Sequence, residues 1–114
     1  MKRKSIGAFI GGMLVANSAP HLATAITGRE HLTPLAGRRS GPAVNLIWGL
    51  GNLVGGLALA KAAMKESGPD SDPRRWDGRL HAFEAGAVTF AAWMFVTERL
   101  MPVNARPIEA PDGD

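Results

Sequence analysis

Residues 5–28 read SIGAFIGGMLVANSAPHLATAITG and residues 40–60 read SGPAVNLIWGLGNLVGGLALA, and neither stretch contains a formal charge. A helix rises ~1.5 Å per residue, so each is long enough to cross a hydrocarbon core of ~30 Å. In a chain of 114 residues this leaves no room for a separate soluble domain. The expected fold class is all-α, an integral membrane bundle of three transmembrane helices with its N-terminus inside. The expected organisation is a single membrane domain over residues 1–101, with helices near 5–27, 42–64 and 80–101. Residues 102–114, which contain Pro107, Pro111, Gly113 and several acids, read as a disordered polar tail.

The boundaries follow from local signals. Gly28-Arg29-Glu30 ends the first stretch, and Pro20 is expected to kink it by removing one N–H and leaving the Ala16 carbonyl in need of another donor. Ser40-Gly41-Pro42 reads as a helix start, because proline suits the first turn. Gly68-Pro69-Asp70-Ser71 is a turn cluster, and Asp72-Pro73 opens a charged stretch around an interfacial Trp76. The third helix ends before Pro102 and is interrupted by Glu84. The N-terminal Lys2-Arg3-Lys4, the apolar run and Ala23-Thr24-Ala25 resemble a secretory signal. Asn17, Ser18, Pro20 and His21 fall inside that pattern, and a retained helix is expected instead.

Charge argues for topology rather than for nucleic acid. The net charge is +3, but much of the excess is Lys2, Arg3 and Lys4, and the other basic residues are interleaved with acids. With the N-terminus inside, the inner side holds Lys2, Arg3, Lys4, Lys61, Lys65, Arg74, Arg75 and Arg79. The outer side holds Arg29, Arg38, Arg39, Arg99 and Arg106, so the positive-inside rule favours N-in and C-out in the inner (cytoplasmic) membrane. The absence of cysteine excludes disulfides, thiolate nucleophiles and thiolate metal sites.

Polar residues inside the apolar stretches are the candidate site. Asn17, His21 and Thr24 lie on one face of the first helix, and Asn45, Trp48, Gly49, Asn52 and Gly56 form a stripe on the second. Lipid offers such groups no partner, so they are expected to face protein or a wet cavity. Matching depths on antiparallel helices places Asn17 near Asn52 or Trp48, and His21 near Asn45. The cluster reads either as structural glue, at about 0.6–2 kcal/mol per bond, or as a pocket with His21 as its titratable member. Glu84 is a second candidate, as an ion pair with Lys61 or His81 or as a proton site.

Small residues recur at four-residue spacing in Gly7 and Gly11, Ala8 and Gly12, Gly51 and Gly55, and Ala82 and Gly86. Such faces let helices approach closely and suit self-association or docking on a larger membrane protein. His21 and His81 lie at different depths and do not form a haem pair, and His81-x-x-Glu84 reverses the order of a carboxylate-bridged metal motif. No catalytic set, cofactor or metal is expected. The expected partners are the lipid bilayer and either further copies or a larger membrane protein.

The pattern Asn17-x-x-Pro20-His21, Gly28, Thr33-Pro34, Ser40-Gly41-Pro42 and Asn45-x-x-Trp48-Gly49-x-x-Asn52 resembles a group of small bacterial membrane proteins of uncharacterised function. It departs from them at Leu22 and Leu35, where aromatics would be expected. The resemblance implies a bacterial multi-helix membrane protein and no activity. The leading expectation is a small non-enzymatic membrane protein, homo-oligomeric or an accessory subunit. The alternative is a small oligomeric transporter or channel using His21 and Glu84, and a lipid or quinone site lined by His21, Asn45 and Trp48 also stays open.

Overall fold

The computed structural model describes residues 3–65, 78–100 and 105–106. The elements run α1 (Arg3–Thr27), β1 (Glu30–His31), α2 (Pro42–Lys65), α3 (Gly78–Leu100) and β2 (Ala105–Arg106). All three helices are long and apolar enough to cross a membrane. The Gly68–Ser71 cluster, Asp72-Pro73 and Trp76 lie outside the described residues, as do Met101 and most of the tail.

α1 continues through Pro20 and stops at Gly28, which takes the left-handed conformation at φ 68°. There the Arg29 N–H reaches the Thr24 carbonyl at 3.1 Å and the Gly28 N–H reaches Ala25 at 3.4 Å. This paired pattern is the glycine-terminated C-cap that absorbs the last carbonyls of a helix. α2 opens on Pro42, where no N–H is needed, and the Asn45 N–H closes the first turn on the Gly41 carbonyl at 3.0 Å.

α1 is the spine. α2 runs antiparallel along it: a Cβ on Gly11 would meet the Gly56 carbonyl oxygen at 2.8 Å, while Gly49 faces Leu22 and His21 toward the other end. α3 runs parallel to α1: Gly12 abuts the Phe83 backbone and Gly86 the Phe9 backbone in their first halves, while Thr97 lines a cleft with His21 toward their other ends. α2 and α3 flank α1 and barely touch each other. Arg79 Nη1 donates to the Ala63 carbonyl at 3.0 Å and links the start of α3 to the end of α2.

The interior inverts that of a water-soluble domain. Among the described residues the buried hydrophobic side chains are Ala8, Ala60 and Ala63, while buried polar ones include His21, His31, Thr33, Ser40, Asn45 and Asn52. Large apolar groups point outward, with Phe95 and Leu100 each 73% exposed. The tail reads from sequence as disordered, yet Ala105 and Arg106 pair antiparallel with His31 and Glu30. Such pairing is carried by backbone groups and leaves little trace in side-chain pattern.

Candidate functional site

The site is built where α1, α2 and the loop between them meet. Asn45 is fully buried at its centre. Its Nδ2 donates to three carbonyls, at 2.7 Å from Ser40, 3.0 Å from Gly41 and 3.3 Å from His31. Carbonyls only accept, so the amide orientation is fixed and Oδ1 must face His21. His21 Nδ1 lies 2.8 Å from that oxygen and therefore donates to it. About two turns further along α2, Asn52 Nδ2 donates to the Trp48 carbonyl at 2.8 Å, so its Oδ1 accepts from Asn17 Nδ2 at 3.1 Å. Of the depth-matched contacts expected from the sequence, His21 with Asn45 is present, and of the two partners expected for Asn17, Asn52 is the one hydrogen-bonded to it.

The loop is tied down by a hydroxyl chain. Gly37 at φ 75° closes a tight turn, with the Thr33 and Gly37 backbones exchanging bonds at 3.2 and 2.9 Å. Thr33 Oγ1 accepts from the Leu35 and Ala36 N–H groups and sits 2.7 Å from Ser40 Oγ. Ser40 Oγ donates onward to the Gly37 carbonyl at 2.8 Å, so Thr33 is the donor to Ser40. Thr33 and Ser40 are buried, and this chain folds the loop back onto the helices.

That fold-back brings in a residue not singled out by sequence reasoning. The His31 ring sits 4.7 Å from the His21 ring at a tilt of 34°, and Trp48 lies edge-on to His21 at 6.5 Å. Burial lowers the His31 pKa from 6.5, neighbouring His21 lowers it further, and Glu98 partly opposes both. Glu98 was also missed, and its buried Oε1 has no hydrogen-bond partner among the described residues. Both lack a pattern signal: His31 lies in an aperiodic loop, and Glu98 in the last turn of α3 reads as a solvated end.

Because α2 and α3 do not close on each other, a cleft of about 500 Å³ opens between them. Asn17 and His21 line its floor, and Trp48 forms the α2 wall. Phe90, Trp93, Met94 and Thr97 form the α3 wall, and His31 to Pro34 of the loop also line the cleft. This volume is in the range of small-molecule sites.

The second candidate lies elsewhere. Glu84 is level with the first half of α1, because Phe83 abuts Gly12, and so stands roughly 12 Å below His21 along the axis. It pairs with His81 Nδ1 at 3.5 Å, both side chains being about half exposed or more. Lys61 is exposed and makes no ion pair with Glu84 among the described residues. No group of three metal-ligating side chains occurs among the described residues.

No protein-family model, curated protein or solved structure matches the chain. The site must speak for itself.

Proposed function

We propose that the chain is a small non-enzymatic protein of the cytoplasmic membrane, multi-pass with its N-terminus inside. In this reading it works by association, with further copies of itself or as an accessory subunit of a larger membrane complex. The observation that carries the reading is the distribution of burial. Polar and small side chains fill the contacts between helices, and large apolar side chains face outward. In water that arrangement would be unstable, whereas in lipid it satisfies the polar groups internally. Support for the association comes from α2, where a Cβ on Gly51 or Gly55 would meet nothing within 4 Å. These residues offer a smooth strip that neither α1 nor α3 covers.

The transporter alternative needs His21 and Glu84 to act together. Their separation, and the pairing of Glu84 with an exposed His81, weigh against a shared path. Native mass spectrometry after mild detergent extraction from the source membrane tests the association. A homo-oligomer or a stoichiometric larger partner is expected, and a monomer at every extraction condition would overturn it.

A further inference from the structure

The hydrogen-bond polarity of the cleft identifies what it can hold. The Asn45 amide obliges His21 Nδ1 to carry the proton, so in the neutral ring Nε2 is a bare acceptor. Asn52 likewise obliges Asn17 to donate through Nδ2, leaving Asn17 Oδ1 as an acceptor. Neither His21 Nε2 nor Asn17 Oδ1 has a protein donor among the described residues, and both residues line the cleft floor. They stand four apart on α1, one helical turn, with Cβ atoms ~5–6 Å apart. His21 is only 4% exposed, so this is a built recess rather than a surface patch.

The walls select the rest of the ligand. Phe90, Trp93 and Met94 offer an apolar, polarisable flank for an aliphatic chain. No Lys or Arg lines the cleft among the described residues, so an anionic head would meet two lone pairs and no counter-charge. Trp93 lines the cleft and is largely exposed, so in the membrane setting proposed above the cleft opens on its side toward the surrounding lipid.

We propose that the cleft between α2 and α3 binds a neutral, hydroxyl-bearing lipid of the acylglycerol class. Its hydroxyls donate to His21 Nε2 and Asn17 Oδ1, and its chain lies along α3. The site is independent of the association described above, since a monomer contains all of it; it does require insertion in a membrane.

The test uses the full chain in phosphatidylcholine nanodiscs with a monoacylglycerol carrying a photoreactive acyl chain. Labelling is expected on α3 around Met94, and unlabelled monoacylglycerol should suppress it at least tenfold more effectively than the methyl ester of the same chain, which lacks donors. Met94→Trp fills the cleft without touching the amide network and should cut labelling at least fivefold with an unchanged thermal midpoint. His21→Leu should abolish selectivity for the hydroxylated competitor. Equal competition by the methyl ester, stronger competition by the free fatty acid or an alkylamine, or undiminished labelling of Met94→Trp would each overturn the proposal. Failure of the chain to enter nanodiscs would instead strike at the membrane reading itself, and the proposal would fall with it.

Discussion

At the scale of single residues, Asn45 concentrates the most consequence. Its hydrogen bonds join α1, α2 and the loop, because its amide donates to the loop carbonyls while accepting from the imidazole. Asn45→Asp keeps the shape but turns a donor end into an oxygen facing the carbonyls of Ser40 and Gly41. The unmet buried acceptors should cost about 2–4 kcal/mol, read as a lower thermal midpoint in detergent. Asn45→Leu should cost less than Asn45→Asp, because it leaves those carbonyls unpaired without adding repulsion. Equal midpoints for the wild type and Asn45→Asp would remove the network from the account of stability. The partner of Asn45 on α1, His21, was legible from depth and face alone, since both helices carry polar residues at regular spacing. Its bonds to Ser40 and His31 were not, because they depend on how an aperiodic loop folds back.

At the scale of elements, the helices differ in how closely they approach. Gly86 abuts the Phe9 backbone and Gly12 abuts the Phe83 backbone, so α1 and α3 touch main chain to main chain. Gly86→Ala should push the helices apart and destabilise the α1–α3 contact by about 1–3 kcal/mol. Gly51→Ala is the matched control: its added methyl meets nothing within the chain, and its midpoint should stay the same or rise slightly through helix propensity. If Gly51→Ala left the midpoint unchanged but dissociated an oligomer, the smooth strip on α2 would be its interface. Small-residue spacing was visible in the sequence, but its partners were not. Of the spaced pairs, Ala8, Gly11, Gly12 and Gly86 are buried, whereas Gly7 and Gly51 face open space. Periodicity marks a smooth face without saying what lies on it.

For the molecule as a whole, pH should set stability through His31. Its folded pKa lies below the 6.5 expected in the unfolded chain, chiefly because it is buried, so the unfolded state takes up the proton more readily. Stability is then complete above about pH 6.5 and is lost as pH falls through the folded pKa. A plot of thermal midpoint against pH from 5 to 8 should decline on the acid side, and His31→Asn should flatten that decline. Glu98→Gln removes a charge that raises the His31 pKa, so it should deepen the decline. An unchanged profile in both variants would show that His31 is not the titrating group.

The arrangement of α2 and α3 around α1 has a consequence for biosynthesis. Every member of the two pairs lies between Asn17 and Asn52, on the hairpin that is made before α3. α3 contributes no hydrogen bond to either pair, and it meets that hairpin almost wholly along α1. These buried amide and imidazole groups can therefore be satisfied while the ribosome is still adding the third helix. The recess gains its second wall only once α3 has followed the hairpin, so the site matures after the scaffold that makes it.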